Sequence, residues 1–341
     1  MSSTRFPRRR FVESLAAGTA ALTLNAPSAF AQSRSKVRVG YLKVLSVDAQ
    51  LQLGIHMGTF EKEGLDIEPR AFTTGVELFQ AMVGGSLDVL TTGGVLSNFP
   101  ARGQGKVFLI NDLEHATGQI WVNADAGINS VKDLKGKKIA LTRGTTAHNL
   151  AHQALKAAGL DSTKDVEILN QRMSDAVTGF IAGAVPAVAT WVPFNVQIKA
   201  KAPKAKMLVD ASAYPAATVV DGWAARNDFY DTQKDVLKRL IRAWAPANDF
   251  MVSKPKEALK LLHEKNYAEL AWGDMEEMHR ATTWHSSANW IKFYKDGSVA
   301  KWLNSVTMFN VEVGAFTDPI MAEKYLDATL YVDALASLGS K

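Results

Sequence analysis

A chain of 341 residues, 47% hydrophobic and 21% charged, has the composition of an ordinary folded protein and the length for two modest domains, which excludes disorder as its default state. Its formal charge of +5 does not support a nucleic-acid reading. Arg5, Arg8, Arg9 and Arg10 against Glu13 place +3 of that charge in residues 1–31, leaving +2 in a remainder where Lys and Glu are interspersed.

The chain opens on an address label. Arg8-Arg9-Arg10-Phe11-Val12 fits the twin-arginine export pattern, a weakly apolar run follows from Ser14 to Leu24, and Ala29-Phe30-Ala31 offers the small residues that a signal peptidase accepts. These features predict cleavage after Ala31 and delivery to the periplasm, with the general secretory route as the alternative. No later run reaches the roughly 18–20 apolar residues of a membrane span, so the expectation is a soluble, monomeric mature chain. The chain has no cysteine, which removes disulfides, thiolate chemistry and cysteine-bound metal or lipid from consideration.

From Lys36 onward, short β-branched runs alternate with helical stretches, the pattern of a parallel sheet with crossover helices. Val37–Tyr41 reads as the first strand. One helix of about four turns is expected from Val47 to Gly64, with Leu51, Ile55 and Phe60 on one face. A strand begins at Leu65, a helix runs from Val76 to Val83, and strands follow at Asp88–Thr92 and Val107–Leu113. After Gly118 a second set is predicted, with strands at Ile120–Asn123, Lys138–Leu141, Val166–Leu169, Ala187–Thr190 and Met207–Val209 and helices over 147–158 and 174–182. One more strand is expected at Val219–Arg226, and from Asp231 through Tyr325 the pattern is largely helical. Two α/β sets with no flexible spacer, followed by a helical remainder, describe a chain that crosses between lobes and returns, leaving a cleft between them.

Several local runs carry a family likeness. Gly58-Thr59-Phe60-Glu61-Lys62-Glu63-Gly64-Leu65-Asp66-Ile67-Glu68 is one; Val131-Lys132-Asp133-Leu134-Lys135-Gly136-Lys137-Lys138-Ile139-Ala140, followed by Gly144–Leu150, is another. Trp191-Val192-Pro193 and the stretch from Phe316-Thr317-Asp318-Pro319 to Tyr325-Leu326-Asp327 complete the series. In this order they resemble the periplasmic solute-binding proteins of alkanesulfonate, taurine and nitrate ABC transporters, within the NMT1/THI5-like fold family, over residues 36–335. The resemblance implies a type II periplasmic-binding-protein fold of two doubly wound α/β lobes around a central cleft. The lobes would be residues 36–118 with 222–341, and residues 119–221, with the helical C-terminal portion packing on the first. It also implies partners: a small-molecule ligand, an ABC permease in the membrane and, through it, an ATPase. The family often carries Asp-Ala before its Trp segment, whereas this chain has Val185-Pro186-Ala187-Val188-Ala189-Thr190-Trp191. Loss of that acceptor for an ammonium implies a ligand without a cation.

Open α/β sheets bind beyond the carboxyl ends of their strands, where loops lead into helices. Arg143-Gly144-Thr145-Thr146-Ala147-His148 follows a strand and opens a helix, whose free N–H groups and dipole favour a sulfonate or carboxylate; the ordinary alternative is that Thr145 caps the helix and Arg143 is solvated. Thr92, Gly93, Gly94 and Ser97 repeat this grammar in the first set, where Gly93-Gly94 alternatively forms only a tight turn. Leu42 and Ser46, after the first strand, and Met173, in the run Asn170–Asp175, would supply further walls. Trp191 and Trp223, which the resemblance sets beside the cleft, could stack on an apolar ligand body, although aromatics more often fill cores. His148 and His152 have the i, i+4 spacing of a metal pair but no evident third ligand, so His148 is expected to donate a hydrogen bond and no metal is expected.

The chain contains no Gly-x-Ser-x-Gly elbow, nucleotide glycine fingerprint or metalloprotease helix, which argues against an enzyme and a cofactor. A thiamine-pyrimidine synthase shares the fold but uses a Cys-rich motif, and this chain lacks cysteine. The reading is capture of a small organic anion, a sulfonate or carboxylate with or without an aromatic body, for an importer. The alternatives are a binding protein that reports to a membrane sensor, or one that takes pyrimidine-type thiamine precursors.

Overall fold

A computed structural model of the chain describes residues 34–336. The predicted leader and its cleavage point at Ala31 lie outside these residues.

The first strand, β1 (Ser35–Leu42), buries Val37 and Val39 in the alternating pattern of a sheet with covered faces. The single long helix expected next is two, α1 (Leu45–His56) and α2 (Thr59–Lys62). Gly58 between them takes φ 65°, a left-handed conformation that a continuous helix cannot contain. Then come β2 (Leu65–Phe72), α3 (Gly75–Val83), β3 (Val89–Thr92) and β4 (Lys106–Glu114). The chain next builds β5 (Gly118–Val122), β6 (Lys138–Leu141), α4 (Thr146–Ala157), β7 (Glu167–Asn170), α5 (Met173–Ile181), β8 (Ala187–Trp191), α6 (Phe194–Lys201) and β9 (Lys206–Asp210). It returns through β10 (Val219–Ala225). The C-terminal part follows as α7 (Asn227–Thr232), α8 (Lys234–Ser253), α9 (Pro255–Asn266), α10 (Trp272–Arg280), β11 (Thr282–Thr283), α11 (Ser287–Lys295), α12 (Ser298–Glu312), α13 (Ala322–Tyr325) and α14 (Ala328–Ala336). The pairing of β11 with β4 interrupts the expected helical run.

The strands form two sheets, one six-stranded in the order β11-β4-β10-β3-β1-β2 and one five-stranded in the order β7-β6-β8-β5-β9. Neither is wholly parallel. Strand β10 comes back from the other sheet and therefore enters between β3 and β4 in the opposite direction, and β5 runs against both β8 and β9. Each sheet has its own apolar core. Val39, Leu90 and Leu109 of the first pack with Leu240 and Trp244 of α8 and with Tyr331 of α14, so the helical C-terminal portion seals the six-stranded lobe. Ile120, Ile139 and Val188 of the second pack with Leu150 of α4 and Val177 of α5. The chain is thus two doubly wound α/β lobes with a cleft between them. Among the described residues no helix is long and apolar enough to cross a membrane.

Candidate functional site

The carboxyl ends of β1, β3, β4 and β8, with the loop after β6, converge on one cavity of ≈ 40 Å³ between the lobes. Its wall comprises Leu42, Val44, Val47, Thr74, Gly75, Val76, Thr92, Val95 and Glu114 from the six-stranded lobe, and Thr142, Thr145, Thr146 and Trp191 from the five-stranded lobe. Three helices begin here. Thr74 caps α3 by accepting from the Glu77 amide at 3.3 Å, but α1, entered at Val44, and α4, entered at Thr145, have no side-chain cap. The Thr145 hydroxyl turns away and donates to the Thr142 carbonyl at 2.7 Å, so the alternative in which it caps α4 does not apply. Two helix N-termini without a side-chain cap therefore meet at the cavity, and their dipoles favour negative charge there.

Glu114 is the one ionisable side chain in that wall. It ends β4, is 4% exposed, and accepts from Ser46 Oγ at 3.0 Å, Thr117 Oγ1 at 2.6 Å and Thr146 Oγ1 at 3.3 Å. The last of these bonds joins the two lobes. Behind it lie Asp112 on β4 and Asp221 on β10, both fully buried. Burial is the main force that pushes each of these carboxyls well above the carboxylate range; the charge of Glu114 adds to it, and so does Asp112 in the case of Asp221. This cluster has no signature in the sequence. Its members come from two strands far apart in sequence, and single acids on strands give no local signal.

Of the residues expected to form the site, Leu42, Thr92, Thr145, Thr146 and Trp191 line the cavity. Trp191 meets Phe194 edge-to-face with ring centres 5.5 Å apart. Ser46, Gly93, Gly94 and Gly144 stand directly behind the wall. A Cβ at Gly93 would come within 2.7 Å of Asp221 Oδ1 and 3.2 Å of Glu114 Oε1. At Gly94 it would come within 2.7 Å of the Thr146 amide nitrogen, so these two positions carry the closest approach of β3 to the acids and to the other lobe. The Gly144 carbonyl accepts from Asn98 Nδ2 at 3.0 Å, a second bond across the cleft.

The structure places the remaining expected residues elsewhere. Trp223 sits in the core of the six-stranded lobe, 1% exposed, with its Nε1 donating to Asn111 Oδ1 at 2.9 Å; an apolar strand position between β3 and β4 claims it. Met173 is 2% exposed and packs in the other core. Ser97 is buried outside the cavity wall. Arg143 is exposed, and its backbone amide, not its guanidinium, is anchored, by Asn170 Oδ1 at 2.9 Å. His148 accepts a bond where it was expected to donate one: its Nδ1 receives the Gly144 amide at 3.1 Å, and burial lowers the ring to about 4, leaving it neutral. The two ring nitrogens of His152 are taken by Ser162 and Glu312, each at 2.8 Å.

The mouth of the cleft carries two further ties between the lobes. Arg172 meets Glu77 at 2.5 Å, and Glu312 of α12 meets both His152 and Lys156 at 2.8 Å. The lobes are closed on each other.

Comparison with known proteins agrees with this architecture. A Brucella abortus (strain 2308) protein that bears the name of a binding protein is 28% identical over 300 residues, covering 88% of this chain and 92% of the relative. The taurine-binding periplasmic protein of Escherichia coli (strain K12) is 26% identical over 218 residues, 62% of this chain and 66% of that protein. The alkanesulfonate-binding protein SsuA from Xanthomonas axonopodis pv. citri, solved with MOPS bound, has the same fold, with a TM-score of 0.71 at 19% identity over 87% of this chain and 99% of that one. The NMT1/THI5-like family model matches residues 49–258, and the chain belongs to that family of periplasmic-type solute-binding proteins.

Proposed function

We propose that the chain is the substrate-binding component of an ABC importer, which captures a small organic acid, a sulfonate or carboxylate, in the periplasm and presents it to a membrane permease. The observation that carries this reading is the convergence of two uncapped helix N-termini, α1 and α4, on one cavity between lobes that are tied together across it. An oxyanion there would accept open amides and complement two helix dipoles. Val44, Val47, Val76, Val95 and Trp191 offer apolar surface to the rest of the molecule. The binding-protein relatives and the predicted export leader support the same role.

Ligand that touches both lobes shifts an open population toward the closed one, and the permease distinguishes the two. A thermal-shift and calorimetric screen of alkanesulfonates and carboxylates on the purified mature chain tests the reading. A ligand at 100 times its Kd adds about 2.7 kcal/mol of stability, which raises the melting temperature visibly. No shift with any acid, or binding without compaction in solution scattering, would falsify it.

A further inference from the structure

The residue that follows Trp191 lies in the core of the other lobe. Val192 leaves the end of β8 in the five-stranded lobe, yet it is 2% exposed and packs with Leu45 and Leu53 of α1, Met251 of α8, and Met275 and Met278 of α10. Every other residue of that apolar cluster belongs to the six-stranded lobe. The Val192 amide donates to the Thr117 carbonyl at 3.0 Å, in the link from β4 to β5 that joins the lobes. That link is itself held at the end of α10, since the amides of His115 and Ala116 both donate to the Ala281 carbonyl. Polar bonds complete the anchorage one turn further on. Glu277 of α10 accepts from Asn195 Nδ2 at 2.8 Å and from Lys199 Nζ at 2.5 Å, both on α6. Asn195 is buried and its Oδ1 has no partner, so among the described residues Glu277 alone bonds its side chain.

The other joints between the lobes are of a different kind. Arg172 with Glu77 and Lys156 with Glu312 are exposed pairs, and the bonds of Asn98 to Gly144 and of Thr146 to Glu114 lie at the cleft, where water enters on opening. Phe309 of α12 rests on imidazoles, those of His148 and His152. Water replaces polar contacts of this sort at little cost. Withdrawing Val192 would instead expose its side chain together with the socket that holds it, and would strip Asn195 of its bond. Separation is therefore cheapest on the α4 side, with the corner between β8 and α6 left in place.

We propose that this corner, pinned by Val192 and Glu277, is the pivot of lobe closure: it stays seated on α10 when the cleft opens, and α4 swings away. This rests on the reading above, that the lobes open and close around a ligand. Trp191 directly precedes the pin and lines the cavity, so its ring keeps its place against the six-stranded lobe. It belongs to the half of the site that stands before closure, whereas Thr145 and Thr146 arrive with α4.

The chain has no cysteine, so single introduced thiols report opening without background. Val192→Cys and Thr146→Cys are nearly isosteric changes at residues of the five-stranded lobe, 2% and 6% exposed, that the other lobe covers. Val188→Cys, in the core of the five-stranded lobe, reports unfolding alone. In maleimide labelling of the unliganded mature chain, Thr146→Cys is expected to react at least about ten-fold faster than Val192→Cys, which should be as slow as Val188→Cys. Glu277→Ala added to Val192→Cys should speed its labelling while leaving Val188→Cys unchanged, and Glu277→Gln, which keeps an acceptor for Asn195, should restore the protection. Labelling of Val192→Cys that ignores Glu277→Ala overturns the part given to Glu277. Labelling of Val192→Cys as fast as Thr146→Cys, or faster, overturns the pivot and leaves the binding reading in place. Slow labelling at all three positions means that the lobes do not part, and overturns the pivot together with capture by closure.

Discussion

The two walls of the cavity are built on different principles. The five-stranded lobe contributes Thr142, Thr145, Thr146 and Trp191, all but the tryptophan from one loop and the helix start that follows it. That wall is made of backbone amides and hydroxyls, and its one nearby histidine, His148, is held neutral by burial. The six-stranded lobe instead stores acid. Glu114 stands in its wall with Asp112 and Asp221 behind it, and Asp48 lies deeper in α1, bonded to the Tyr267 hydroxyl and pushed by burial up to about 8. One lobe meets the cavity with neutral groups, and the other backs it with carboxyls that burial pushes well above their ordinary range. Their stabilities should therefore respond differently to pH and to substitution.

The largest expected effect is on pH dependence. Asp48, Asp112 and Asp221 have carboxyls raised above their unfolded values, so the folded state binds more protons, and stability falls as pH rises through the interval between the two values. For Asp48 that interval runs from the ordinary carboxylate value to about 8, at a slope of up to about 1.4 kcal/mol per pH unit for one proton. Thermal melts should show the unliganded chain more stable at pH 5 than at pH 8, and Asp48→Asn should flatten part of the decline. An Asp48→Asn variant whose pH profile has the same slope as the parent's would show that Asp48 is not protonated in the folded chain.

Next in size is closure itself. Gly94→Ala places a methyl 2.7 Å from the Thr146 amide nitrogen, backbone that cannot step aside, so closing the lobes should cost about 3 kcal/mol, roughly 100-fold in Kd. The clash exists only between lobes, and the melting temperature of the unliganded chain should change little if the lobes separate freely. Calorimetry alongside melts separates the two outcomes. A variant that binds as well as the parent would mean that this contact is absent from the bound state.

How far the sequence reveals these two walls follows from the same contrast. The β6–α4 wall was legible because its parts are contiguous: a strand end, Gly144 with φ 73°, two threonines and a helix. The strand and helix pattern was legible too, because β-branched runs and glycine punctuation are local. The Val47–Gly64 helix was misread because Gly58 breaks it at a point where the apolar spacing alone continues. The acidic wall was not legible. Asp112 and Asp221 become neighbours only when β10 returns to pair with β4 at that same register, a contact that crosses the whole of the second lobe. Trp223 failed for the converse reason. Its strand was placed rightly, but which face of a strand meets the core is decided by the sheet packed around it, and Asn111 had already claimed the indole N–H.

Smaller effects test the ties between the walls. Thr146→Ala removes a cavity-wall hydroxyl and its 3.3 Å bond to Glu114, and should weaken ligand binding by about 1.5 kcal/mol, roughly ten-fold, since hydrogen bonds to charged groups are worth about that much. Unchanged calorimetric affinity would remove Thr146 from the site.

The smallest effect should come from the rim. Arg172 and Glu77 meet at 2.5 Å across the mouth, yet their side chains remain 57% and 39% exposed, so water and salt screen the pair. Arg172→Gln is expected to lower affinity by about 0.2–1 kcal/mol, and the difference from the parent should vanish as ionic strength rises. A buried tie between the lobes would keep its effect in high salt. Repeating the comparison with Thr146→Ala, whose bond to Glu114 is enclosed, therefore separates closure held by the interior of the cleft from closure held by its edge: the first should be insensitive to salt, and the second should not.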